Sequence, residues 1–236
     1  MSGHSKWSTI KHKKAATDSK RGQIFTKLGR AITIAAKEGG ADPDSNFKLR
    51  LVMDKAREAN MPKVNIERAI EKGSGQGSEG NLETAVYEGF GPSQVAVMVE
   101  VVTDNKNRAA AEIKKVFERG GGHLGQPGSV GYLFHKKGLL VVNQEADADN
   151  QVLKIIDLGV DEVEPKASGV EILVPGAELA QIRGQLNNLG YSIKSAELIY
   201  KPTALITLTS EQEAKLTDWL DTLEELDDVQ AVYTNW

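Results

Sequence analysis

The spacing of apolar residues changes period once along this chain, across the run Gly73-Ser74-Gly75-Gln76-Gly77-Ser78-Glu79-Gly80. Before it the pattern is helical. Ile24, Phe25, Leu28, Ile32 and Ala35 predict a helix over 20–37, stopped at Gly39-Gly40, where glycine readily takes a left-handed backbone. Asp42-Pro43-Asp44-Ser45 offers capping side chains to a second helix carrying Phe47, Leu51, Ala56 and Ala59, and Asn60-Met61-Pro62 breaks it. Val64, Ile66, Ala69 and Ile70 predict a short third helix that ends at Gly73. The glycine-rich run itself has no Lys-Ser/Thr ending and no preceding strand, so it reads as a linker and not as a phosphate loop.

After the run the pattern is that of strands broken by helices. Val95 to Val102 is a β-branched stretch suited to a central strand, and Asp104 or Asn105 caps a helix carrying Ala109, Ile113, Val116 and Phe117. Gly120-Gly121-Gly122 ends that helix, and Tyr132-Leu133-Phe134 predicts another strand. From Leu139 the order strand, helix, strand, strand, helix, strand runs to about Ile199, the order of a ferredoxin-like sandwich. A short extended stretch at Ala204-Leu205-Ile206, a helix with Leu216, Trp219, Leu220 and Leu223, and a strand from Val229 to Tyr233 then remain. Residues 81–134 lack one helix and one strand, which this remainder supplies. The expected fold class is therefore α+β: a small N-terminal helical domain (1–80, linker included) followed by two ferredoxin-like α/β sandwich domains, one inserted in the other. The inserted domain is 135–200, and the split one is 81–134 plus 201–236.

Charge is divided as sharply as the pattern. Residues 1–37 hold seven Lys and two Arg against one acid, Asp18, a net +8, although the whole chain is −4. Residues 38–72 balance seven bases with seven acids, and 73–236 carry thirteen bases and twenty-five acids, a net −12. A basic head on an acidic body suits a polyanion. The candidate nucleic-acid-binding residues are Lys6, Trp7, Lys11, His12, Lys13 and Lys14 in the head, with Lys20, Arg21, Lys27 and Arg30 on the first helix. Trp7 has two open readings, a stack on an unpaired base and a staple onto the helix. Lys106 and Arg108, at a helix start whose dipole favours anions, are candidates for a second phosphate contact. Tyr87 suits base stacking if exposed, and otherwise belongs to a strand leading into the Gly91-Pro92 turn.

Other classes find little support. Zero cysteines exclude disulfides, thiolate zinc sites and cysteine catalysis. No stretch of about 20 apolar residues predicts a membrane span, and the basic N-terminus lacks the apolar core of a secretory signal, so the expected location is cytoplasmic. His4 and His12 lie among lysines that repel a cation, and Glu224, Glu225, Asp227 and Asp228 form a run and not a facing pair. No metal, cofactor, small-molecule substrate or catalytic activity is expected. An enzyme acting on nucleic acid is the weak alternative.

Several stretches together are distinctive: Gly3-His4-Ser5-Lys6-Trp7, Lys20-Arg21-Gly22-Gln23-Ile24-Phe25-Thr26-Lys27, Gly39-Gly40-Ala41-Asp42-Pro43, Tyr87-Glu88-Gly89-Phe90-Gly91-Pro92, Thr103-Asp104-Asn105-Lys106-Asn107-Arg108 and Gly128-Ser129-Val130-Gly131-Tyr132-Leu133-Phe134. In these the chain resembles the YebC/PmpR family, over essentially its whole length. The resemblance implies three domains with the third inserted in the second, a bacterial cytoplasmic location, and transcription regulation through DNA binding. It also implies kinship with a mitochondrial translational activator, in a branch associated with ribosomes and with stalling at proline runs. The expected partner is therefore nucleic acid, DNA or ribosomal RNA, with the acidic domains facing a ribosome or protein partner.

Overall fold

The computed structural model describes residues 18–76 and 82–236, without the side chains of 18–20 and 76. The chain divides into two compact units, one of residues 135–201 and the other of the described residues on either side of it.

In the larger unit, helix α1 (Asp18–Gly39) is followed by α2 (Phe47–Glu58) and α3 (Lys63–Glu71). Ile32, Ala35 and Ala36 pack with Leu49, Met53, Ala56, Met61, Ile66 and Ala69 in one small core. Its centre is nearly dry, with Ile32, Ala35, Leu49 and Ala56 all at 0% exposure. The N-cap of α2 is Asn46 and not one of the four residues before it. Its Oδ1 accepts from the Leu49 N–H at 3.0 Å, while its Nδ2 donates to the Ala35 and Gly40 carbonyls, each at 2.8 Å. One buried side chain thereby caps the start of α2 and satisfies carbonyls at the end of α1. Asp42 serves the turn itself, accepting from the Asp44 N–H and the Ser45 hydroxyl.

The glycine-rich run does not begin as a free linker. Residues Lys72–Gln76 continue from α3 as an irregular wide turn, kinked where Gly75 takes a left-handed backbone at φ 90°. There a Cβ on Gly73 would lie 2.3 Å from the Thr33 carbonyl and 2.7 Å from the Ala36 Cβ, so this glycine is required by close packing on α1. Residues 77–81 lie outside the described residues.

The sheet of the larger unit takes its strands from both sides of residues 135–201: β1 (Glu83–Phe90), β2 (Ala96–Thr103), β3 (His123–Leu124) and the final strand Val229–Thr234, in the order β3-β1-β2-final strand. Every pairing in it is antiparallel. Helix α4 (Lys106–Arg119) crosses from β2 to β3 with β1 lying between those strands, the split arrangement of ferredoxin-like folds. The sequence pattern predicts a strand at Tyr132-Leu133-Phe134. In the structure Gly131–Leu133 is a 3₁₀ turn that leads the chain on, and the edge of this sheet is the two-residue β3. The strand signal at Phe134 belongs to β4 (Phe134–Val142).

The smaller unit continues from β4 through α5 (Ala148–Ile156), β5 (Glu162–Lys166), β6 (Gly169–Pro175), α6 (Leu179–Asn188) and β7 (Ile193–Pro202). Its strand order is β5-β6-β4-β7, with β6 antiparallel to both β4 and β5. That is the expected ferredoxin-like order. Leu140, Val142, Ile155, Val170, Ile172, Val174, Leu179 and Leu186 are all fully buried in it. The chain then returns to the larger unit through α7 (Ser210–Glu224) and β8, the final strand Val229–Thr234.

Helices α4 and α7 cover one face of the first sheet. Val97, Val99 and Val101 of β2 meet Ile113, Val116 and Phe117 of α4 and Leu216, Trp219, Leu220 and Leu223 of α7. The Phe117 and Trp219 rings meet edge to face, centroids 5.0 Å apart, and the Trp219 indole N–H donates to the Val116 carbonyl at 2.8 Å. The residues of 204–206 form no strand, yet the Ile206 N–H donates to the Asn235 carbonyl at 2.8 Å, tying this stretch to the C-terminal tail.

Candidate nucleic-acid interface

The described cations of the candidate interface fall into two groups. Arg21 lies in the first turns of α1, where residues 21–24 are exposed and the helix has left its core. Lys6, Trp7, Lys11, His12, Lys13 and Lys14 lie outside the described residues, as does the side chain of Lys20. Lys27, Arg30, Lys106 and Arg108 form the second group, and each is held by an oxygen acceptor of the first sheet or its flanking segments.

The centre of that second group is Asp228, just before β8, whose side chain is 5% exposed. Its Oδ1 accepts from Arg30 Nη1 at 2.6 Å, and its Oδ2 accepts from the Thr103 hydroxyl at 2.8 Å and from Arg108 Nη2 at 3.0 Å. Arg30 Nη1 also donates to the Asp227 carbonyl at 2.7 Å, and Lys27 Nζ donates to the Glu224 carbonyl. A carboxylate taken out of water is stable only when its lone pairs are filled by strong donors, and here two guanidinium groups and a hydroxyl fill them. Thr103 serves twice, because its Oγ1 also accepts from the Asn105 N–H at 3.0 Å.

Asn105 is the N-cap of α4, its Oδ1 accepting from the Arg108 N–H at 3.1 Å. Cations at a helix N-terminus oppose the helix dipole, so each needs a counter-charge. Lys106 takes Glu83 of β1, and Arg108 takes Asp104 at 2.6 Å as well as Asp228. Lys106 holds the Glu83 carboxyl below its ordinary range, and Arg108 does the same for Asp104. Asp228, then Asp104, raise the Arg108 guanidinium further above its already high value.

Tyr87 is half-buried against the sheet core, with its hydroxyl donating to the Lys106 carbonyl at 2.9 Å. That arrangement fits the strand reading. The neighbouring Glu88 does something no sequence signal announced: its carboxylate accepts from the backbone N–H groups of Gly128, Val130 and Gly131 at 2.9, 2.9 and 2.7 Å. Burial favours its neutral form, but the three donors together prevail and its pKa is lowered. Among the described residues no three His, Asp or Glu side chains converge as a metal site would need, and no helix is long and apolar enough to cross a membrane.

This chain is similar to known proteins over nearly its full length. The profile described as "TACO1/YebC protein N-terminal domain" matches residues 5–76, and "TACO1/YebC second and third domain" matches residues 82–236. The chain belongs to the TACO1/YebC family. Relatives carry the name "Probable transcriptional regulatory protein". One from Pelotomaculum thermopropionicum is 45% identical, the match covering 100% of this chain and 98% of the relative. Another from Actinobacillus succinogenes is 47% identical, covering 100% and 96%. The crystal structure of a conserved hypothetical protein from Aquifex aeolicus superposes with a TM-score of 0.87 at 41% identity, covering 98% of this chain and 96% of that one. The TACO1/YebC assignment agrees with the resemblance read from the opening Gly3-His4-Ser5-Lys6-Trp7 and from the Thr103–Arg108 stretch, and the latter is the stretch that builds the Asp228 cluster.

Proposed function

We propose that this protein is a cytoplasmic, non-enzymatic regulator of gene expression that binds the nucleic-acid backbone with its N-terminal basic segment and the exposed start of α1. The observation that carries the reading is the net +8 of residues 1–37 on a chain of net −4. Lys6, Lys11, Lys13, Lys14, Lys20 and Arg21 supply the phosphate contacts, and Trp7 and His12 sit among them as stacking and polar groups. Lys27 and Arg30 tie α1 to the segment before β8, and Lys106 and Arg108, paired at the start of α4, are the candidates for a second phosphate contact. The names of the relatives support transcription regulation, and thus DNA, as the first target. A second target, ribosomal RNA, is favoured by one feature: the charge sits on a segment and one helix end, a design that grips phosphates without reading base edges. The acidic domains then face a protein or the ribosome.

Replacing Lys6, Lys11, Lys13, Lys14 and Arg21 with Gln tests the assignment. Binding should weaken on all sequences, and the log–log salt dependence should flatten by about 0.7 per lost contact on single strands or about 0.9 on duplex DNA. An unchanged slope would overturn it. Crosslinking in cells, followed by sequencing of the bound DNA and RNA, separates the two targets.

A further inference from the structure

The net −12 of residues 73–236 conceals a local reversal of sign. All five bases between residues 73 and 134, Lys106, Arg108, Lys114, Lys115 and Arg119, lie in α4, against Glu112 and Glu118 within the helix. Residues 120–134, which follow it, contain no Lys, Arg, Asp or Glu. The helix is therefore a +3 element in a body that is otherwise acidic.

Its two halves use that charge differently. In the N-terminal half, Lys106 is paired with Glu83, and Arg108 with Asp104 and Asp228. In the C-terminal half, Lys114 meets Glu118 at 3.7 Å, both well exposed. Lys115 and Arg119 are exposed and have no ion pair among the described residues. They are one turn apart on a single face, so their side chains emerge together. The inner face of α4 is committed to the core through Ala109, Ile113, Val116 and Phe117, which fixes Lys115 and Arg119 outward. Arg119, in the last turn of α4, is also favoured there by the helix dipole.

We infer that Lys115 and Arg119 form a second phosphate-binding surface, on the rigid outer face of α4, which engages the same nucleic-acid strand as the basic N-terminal segment. The inference rests on the proposed nucleic-acid binding and gives it a second point of attachment. A strand held by a segment at one site and a packed helix at another gains through effective concentration, without new contacts at either. Glu112 lies on the same stripe, one turn before Lys115, and sets the limit of the track on that side.

The full chain is titrated with a mixed-sequence single-stranded RNA and with a duplex DNA of equal length, across a range of salt. The double variant Lys115→Gln/Arg119→Gln should flatten the salt slope by about 1.4 on the single strand and about 1.8 on the duplex, for two lost contacts. Glu112→Gln should move affinity the other way, a gain that loss of folding cannot mimic. Unchanged slope and affinity in both variants would overturn the inference, and so would a double variant that loses only an acidic protein partner. If the N-terminal Gln variant flattens the slope while the α4 variant does not, this inference alone fails. If the N-terminal variant has no effect, the proposed function fails first.

Discussion

Arg30 Nη1 lies 2.6 Å from Asp228 Oδ1, joining residues 198 positions apart and tying α1 to the entrance of β8. The basic end of α1 is thereby mounted on the first sheet. Replacing Asp228 with Ala removes the acceptor for two guanidinium groups and leaves the Thr103 hydroxyl, 1% exposed as a residue, without its acceptor. The expected loss is about 1–3 kcal/mol, below the 3–5 of a fully buried pair because both arginines keep contact with water. Urea unfolding measures it. A variant as stable as the parent would show that the cluster contributes nothing net.

Glu88 gives a prediction with a pH sign. Its pKa is lowered in the fold, so its contribution is complete above the ordinary carboxylate range and is lost as pH falls through the folded value. Glu88→Gln retains one acceptor oxygen and places an NH₂ against backbone donors, and it should cost about 1–3 kcal/mol at neutral pH. The gap between parent and variant should close as the solution is acidified below the usual carboxylate pKa. A gap independent of pH would reject the charged-acceptor account.

Gly120 is fixed by a ring. A Cβ there would lie 2.3 Å from both Trp219 Cδ1 and Nε1, and the indole is held by Phe117 and by its bond to the Val116 carbonyl. Gly120→Ala should therefore destabilise by about 1–3 kcal/mol, as overpacking does, and alter the tryptophan near-UV circular dichroism. A silent substitution would mean that α4 and α7 separate easily.

Gly73 distinguishes a packed turn from a linker. Gly73→Ala should lower the thermal midpoint because its methyl group meets the Thr33 carbonyl, whereas Gly75→Ala meets no atom within 4 Å and suffers only its left-handed backbone, φ 90°. Equal effects at the two positions would contradict the packing argument.

What the sequence determined by itself is what short-range chemistry controls. The three N-terminal helices, a cap of α4 at Asp104 or Asn105, the β2 strand and the order of elements in 135–201 follow from apolar period and from glycine, proline and Asx punctuation, which act over a few residues. The sign of the N-terminal head is likewise a property of composition. Tertiary structure alone decided the rest. Asp228 reads in sequence as one member of an exposed acidic run, and only folding brings Arg30, Thr103 and Arg108 around it. Asn46 replaced the expected Asp42–Ser45 caps because one amide could serve two helix ends at once. The short β3 at the edge of the first sheet left no signal in the sequence, because pairing depends on which backbone reaches β1 and two residues carry no period. Lys115 and Arg119 are ordinary surface bases until the pairing of their neighbours is known. Partners far apart in sequence leave no local signature, and the charge left over after pairing is a property of the folded chain.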